Sequence, residues 1–125
     1  MIIGLGVDLA QIERFEKLID TYGARAAQKI LAPIELQRFN ESARPAALLA
    51  KRWAVKEALG KALGTGIGQG ITLPEIAVVQ GEHGAPELQL SGKAALAVER
   101  LGVEHTHLSI SDEAGFAIAL VILEK

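Results

Sequence analysis

The sequence predicts an α+β fold: a single domain over residues 1–125, its mainly antiparallel sheet packed with one long and several shorter helices. Three observations predict it. Short β-branched segments stand at both ends of the chain, and the longest helical pattern lies in the middle. Between that helix and the C-terminus, EIAVVQ and PELQLS flank the turn-rich GEHGA, a hairpin signal. The length suits one ordinary domain, and 50% of the residues are hydrophobic, enough for one core. Aromatic content is only 4%, so the core rests on Leu, Ile, Val and many alanines, each of which buries little area. That composition favours further burial at an interface between copies.

Ile2 to Leu9 reads as a buried strand interrupted by Gly4 and Gly6. Ile12, Phe15, Leu18 and Ile19 recur at helical spacing, which predicts an amphipathic helix over Gln11 to Tyr22, ended by Gly23. Arg25 to Leu31 adds a turn or two, and Pro33 suits the first position of the short helix IELQRFNE. Ala46 to Leu63 is the long helix. After a glycine-rich loop and the hairpin, Ser91 is expected to cap a helix that Gly102 closes. HTHLSIS and FAIALVILE are the last two strands, with the first central-looking and DEAG as the turn between them.

The formal net charge of −2 argues against a general nucleic-acid binder. The chain has no cysteine, which excludes disulfides and thiolate metal sites. The apolar run Phe116 to Leu123 is too short to span a bilayer, and MIIGLGVDLA lacks the features of a signal peptide. The expectation is a cytoplasmic protein that binds neither membrane nor nucleic acid.

Chemistry concentrates in KRWAVKEALGKALGTGIG, Lys51 to Gly68. At about 100° per residue, Arg52, Trp53, Lys56, Glu57 and Lys61 share half the helix, with Ala54, Val55, Ala58, Leu59 and Ala62 opposite. Taken alone, that pattern describes a solvated face, with Glu57 and Lys61 paired four apart. The following GTGIGQG offers exposed backbone N–H groups suited to an anion, although the lysine precedes the glycines and the stretch is no Walker motif. Gly60 inside the helix costs about 1 kcal/mol relative to alanine, which suggests a close approach by another backbone or a ligand. Asp8 ends an apolar run, where an unpaired carboxylate is expensive. It is an oxygen ligand at a strand end, of the kind magnesium takes one or two of, and Glu57 is a candidate second. On the HTHLSIS strand, His105, His107, Ser109 and Ser111 alternate onto one polar face. No helical histidine pairing points to zinc.

Together, GLGVDL, RWAVKEALGKALGTGIG and HLSISDEAGFAIALVILE resemble holo-[acyl-carrier-protein] synthase, the short single-domain type of 4′-phosphopantetheinyl transferase. The resemblance runs over nearly the whole chain, in the family's order and spacing. It implies Mg2+-dependent transfer of 4′-phosphopantetheine from coenzyme A to a serine of acyl carrier protein, in fatty acid biosynthesis. It further implies a homotrimer with coenzyme A bound between subunits. Asp8 and Glu57 match the family's metal ligands, and Lys61 matches a phosphate contact that acts with Glu57 in catalysis. Gly64, Thr65, Gly66, His107 and Arg52 match residues near the bound cofactor, and Arg14 matches a residue that docks the carrier. Thr21 departs from relatives that carry a second arginine there. Without the resemblance, the same carboxylates and lysine fit a non-catalytic coenzyme A or nucleotide-binding oligomer, or a Mg2+-dependent nucleotide pyrophosphohydrolase.

Overall fold

The two ends of the chain lie side by side. In a computed structural model that describes residues 1–125, the N-terminal strand β1 (Ile2–Gln11) pairs antiparallel with the C-terminal strand β5 (Phe116–Glu124) along its whole length. The Met1 ammonium donates to the Lys125 carbonyl at 2.7 Å. Strand β4 (His105–Glu113) pairs with the other side of β5, so the order is β1-β5-β4. HTHLSIS therefore forms an edge, and the centre goes to FAIALVILE, whose alternate Ala117, Ala119, Val121 and Leu123 are buried. The turn is tighter than DEAG: Asp112 and Glu113 belong to β4, and Ala114 and Gly115 make the corner at φ 54° and 83°. Strands β2 (Ile76–Gln80) and β3 (Pro86–Leu90) form a separate two-stranded sheet, so the one expected sheet is two, both antiparallel.

Five helices cover one face of the larger sheet and its flank: α1 (Ile12–Tyr22), α2 (Ala24–Ile30), α3 (Pro33–Glu41), α4 (Pro45–Ala62) and α5 (Gly92–Arg100). None is long and apolar enough to cross a membrane. Helix α4 lies directly on β1. A Cβ on Gly4 would stand 2.2 Å from the Ala62 carbonyl oxygen, and one on Gly6 1.9 Å from that of Ala58. Both glycines exist so that helix and strand backbones can touch. Around this contact Phe15, Ala54, Val55, Ala58, Leu59, Val121 and Leu123 close the core.

Strand β1 is only half buried, against expectation. Its residues facing α4 are the glycines, Asp8 and Ala10, while Leu5, Val7 and Leu9 on the other face are 61%, 50% and 60% exposed. Cross-strand register continues that bare face over Ile118 and Leu120 of β5 to Ser109 and Ser111 of β4.

The charged half of α4 is likewise only partly a solvated surface: Lys61 is exposed, but Lys56 is not. Lys56 is fully buried, and its ammonium meets Glu35 Oε1 of α3 at 2.7 Å, the Leu73 carbonyl at 3.1 Å and the Ile76 carbonyl. Glu35 also accepts from the amides of Ala32 (2.8 Å) and Val78 (3.1 Å), and Arg52 Nε lies 3.7 Å from its Oε2. Ser91 occupies the position before α5, but its hydroxyl does not cap it. The Glu75 carboxylate takes that role, accepting from the amides of Lys93 and Ala94.

Candidate active site

Past the closest approach of β1 to α4, the next residue of β1 that faces the helix is Asp8. Lys61 reaches it from α4: its ammonium donates to Asp8 Oδ1 at 3.0 Å and to the Val7 carbonyl at 2.9 Å. The expected Glu57–Lys61 pair along the helix is thus replaced by a cross-link between helix and strand. Glu57 remains in the field of both. Burial pushes its carboxyl above the ordinary range, the Asp8 charge pushes it the same way, and Lys61 and Arg14 pull it back. Arg14 of α1 lies over the Trp53 ring at 4.8 Å and over Phe15 at 5.3 Å. Trp53 is one turn before Glu57, so the residue expected to dock a carrier sits beside the carboxylates.

The glycine-rich loop folds back onto the helix it leaves. The Gly66 amide donates to the Gly60 carbonyl at 2.9 Å, and the Gly64 amide to that of Lys61 at 3.0 Å. A Cβ on Gly60 would stand 2.8 Å from the Ile67 nitrogen and 2.9 Å from the Gly66 carbonyl carbon. The helix tolerates Gly60 because the loop occupies that space. Thr65 is exposed, its hydroxyl 3.2 Å from the Gly66 carbonyl oxygen.

Two expected residues lie elsewhere. Arg52, nine positions and thus about 13 Å along α4 from Lys61, joins Arg38 and Lys51 in a cleft of about 200 Å³ bounded by the β2–β3 hairpin and β4. His107 projects from the bare face of the sheet, opposite Asp8, with Nε2 2.9 Å from Glu124 Oε1. That hydrogen bond holds the Glu124 carboxyl below its ordinary range. Within one chain, then, Asp8, Glu57, Lys61, Arg14 and the loop come together, and Arg52 and His107 do not join them. Sequence reasoning missed the Glu35–Lys56 link, whose partners are 21 residues apart with no local spacing to connect them.

Asp8 and Glu57 are hard oxygen donors, and no third acidic or imidazole side chain completes a cluster around them. Such a pair fits magnesium, which keeps water and substrate oxygens in its remaining positions. Two carboxylates, a lysine and a glycine-rich loop thus lie together where α4 ends against β1.

Comparison with known proteins gives the family. The sequence profile of the 4′-phosphopantetheinyl transferase superfamily matches residues 4–121, and the chain belongs to that family. The holo-[acyl-carrier-protein] synthase of Vibrio cholerae serotype O1 is 49% identical to it over 125 residues, covering 100% of this chain and 99% of the relative. That of Photobacterium profundum is 50% identical over 124 residues, 99% and 98% of the two chains. The crystal structure of the Neisseria meningitidis synthase superposes with a TM-score of 0.92 at 36% identity, covering both chains completely. That of the Helicobacter pylori synthase in complex with coenzyme A gives 0.82 at 29%, over 96% of this chain and 99% of that one. This chain is an enzyme of the holo-[acyl-carrier-protein] synthase kind.

Proposed function

We propose that residues 1–125 act as one transferase domain that moves 4′-phosphopantetheine from coenzyme A to a serine of apo-acyl carrier protein. Adenosine 3′,5′-bisphosphate is released, Mg2+ is required, and the setting is fatty acid biosynthesis in the cytoplasm. The observation that carries this reading is the meeting of Asp8, Lys61 and Glu57 across β1 and α4, with the glycine loop beside them.

In the reaction the serine oxygen attacks the phosphorus that bears pantetheine, and the bond from that phosphorus to the bridging oxygen breaks. Asp8 and Glu57 would hold the Mg2+, which supplies positive charge against the pyrophosphate as the leaving group gains electrons. Lys61 fixes one oxygen of Asp8, holds the Val7 carbonyl and offers its one remaining donor to phosphate. The exposed Thr65 adds its amide and hydroxyl as neutral donors to the same anion, while Gly64 and Gly66, whose amides are spent on the helix, shape the loop around it. Glu57, beside Asp8 at the same site, would also take the serine proton through the carboxylate oxygen that the metal leaves free. Arg14, stacked beside it on Trp53, receives an acidic carrier.

The assembly is a homotrimer. Leu5, Val7, Leu9 and Ile118 form an apolar face that a monomer would leave in water, and a second copy is its occupant. Such packing would bring one subunit's Arg52 cleft and His107 to a neighbour's Asp8 and Glu57, completing around coenzyme A what one chain leaves apart.

Intact-mass measurement of apo-acyl carrier protein with this enzyme, coenzyme A and Mg2+ tests the reaction. A phosphopantetheine-sized gain, lost with EDTA and restored by Mg2+, is the expected result. Coenzyme A binding without a gain would mean a non-catalytic binder, and free phosphopantetheine without a gain a pyrophosphohydrolase. Val7→Glu tests the assembly: light scattering should find monomers, and transfer should fall with trimer content.

A further inference from the structure

Lys56 stands next to Glu57 in sequence, yet it turns into the core and meets no solvent. Its three ammonium donors are all used, one on Glu35 and two on the carbonyls of Leu73 and Ile76. Those carbonyls mark where the chain returns from the glycine-rich loop that leaves α4 at Leu63. The departing side is already tied to the helix through Gly60–Gly66 and Lys61–Gly64. Lys56 therefore closes the base of the loop from the returning side, and Glu35 holds Lys56 in place from α3 while gripping the amides of Ala32 and Val78.

Stability alone is a poor reason for this arrangement. A buried ion pair is commonly matched or exceeded by well-packed apolar side chains of similar volume. An apolar side chain cannot supply a directional tie from one helix to two carbonyls of the returning chain. We propose that Lys56, locked by Glu35, is a positioning residue for coenzyme A: it fixes the glycine loop against α4 and so sets the exposed Thr65 relative to Asp8, Glu57 and Lys61. The inference rests on the transferase reading above, and it predicts an effect confined to the cofactor side of the reaction.

The test compares wild type with Lys56→Met, Glu35→Gln and the double variant, measuring KM for coenzyme A, KM for the carrier, and hydrogen exchange by segment. Lys56→Met and the double variant are expected to raise the coenzyme A KM about tenfold or more and leave the carrier KM unchanged. Amides of residues 64–72 should exchange faster while β1 and β5 stay protected. Uniformly faster exchange with both KM values unchanged would reduce Lys56 to a stabilising contact and overturn the proposal. Glu35→Gln keeps the side-chain shape and is the decisive variant should Lys56→Met not fold. It is expected to raise the coenzyme A KM several-fold, and an unchanged value overturns the proposal equally. Wild type separates the two levels: if it transfers nothing, the transferase reading fails, whereas normal wild-type transfer beside indifferent variants removes only the positioning role.

Discussion

Helix α4 carries two ion clusters of nearly the same composition and opposite character. At one, Glu35 engages Lys56 and Arg52 in the core, and no buried side-chain nitrogen or oxygen lacks a partner. At the other, Asp8 engages Lys61 at the surface, and the nearby Glu57 forms neither a hydrogen bond nor an ion pair within 4.0 Å. The Glu35–Lys56 pair at the heart of the buried cluster is saturated and has nothing left to offer a ligand. The open one keeps carboxylate oxygens and one ammonium donor unused. Unspent valence, not density of charge, distinguishes a site from a brace.

The largest effects should therefore differ in kind. Glu57→Gln is expected to lower transfer about 10³-fold or more, equivalent to roughly 4 kcal/mol of barrier, while leaving the urea midpoint unchanged or slightly higher. The sign follows from the carboxyl's raised affinity for protons: folding disfavours its ionised form, so a neutral amide costs the fold nothing. A carrier mass time course and an unfolding curve on one preparation measure both. Glu35→Ala should do the reverse, destabilising by about 3–5 kcal/mol because it leaves Lys56 buried without its anion. Chemical denaturation reads that directly. If Glu35→Ala proved as stable as wild type, the brace would not be one.

The boundary between the two clusters was only partly legible in the sequence. Hydrophobic periodicity located α1, α4, the β2–β3 hairpin and β5, because local spacing and turn residues determine them. Strand order was not legible: HTHLSIS and FAIALVILE both read as strands, and which becomes central depends on pairing with β1 more than a hundred residues away. Asp8 and Glu57 stand out in the sequence because ligand chemistry limits which residue types can serve, and the fold brings them into each other's field. Lys56 was misread as surface charge, since its burial is compensated only by Glu35 from another helix. Lys61 was given the wrong partner for a related reason: spacing along a helix favours Glu57, but the touching backbones of β1 and α4 bring Asp8 nearer.

That contact between backbones offers an intermediate probe. Gly6→Ala would place a methyl group where only 1.9 Å separates it from the Ala58 carbonyl oxygen, and no flexible side chain can yield there. Separating β1 from α4 should cost about 1–3 kcal/mol. Because Asp8 rides on β1 and Glu57 on α4, transfer should fall too. Gly6→Ala is thus expected to move both readouts that Glu57→Gln and Glu35→Ala move separately. Loss of stability with full activity in the folded fraction would show that the site does not depend on this contact.

The smallest effect concerns a third carboxylate, one that is satisfied yet near the surface. Glu75 accepts from the Thr72 amide at 2.8 Å and its hydroxyl at 2.9 Å, and from the amides of Lys93 and Ala94 at the start of α5. These bonds, led by the Thr72 amide, hold its carboxyl below the ordinary range. A depressed pKa in the folded state means that the ionised form stabilises the fold. That contribution is complete above the unfolded value of about 4.3 and fades as pH falls through the folded one. Glu75→Gln should cost about 1 kcal/mol near pH 7, the ordinary worth of a helix cap, with little further cost because the group is solvent-screened. Urea midpoints of the two proteins should converge as the pH is lowered past Glu75's depressed pKa, whereas Glu35→Gln tested alongside reports a core charge rather than a surface cap. A gap that persisted after Glu75 was protonated would mean that Glu75 acts through its shape, and the contrast among the three carboxylates would then rest on packing instead of charge.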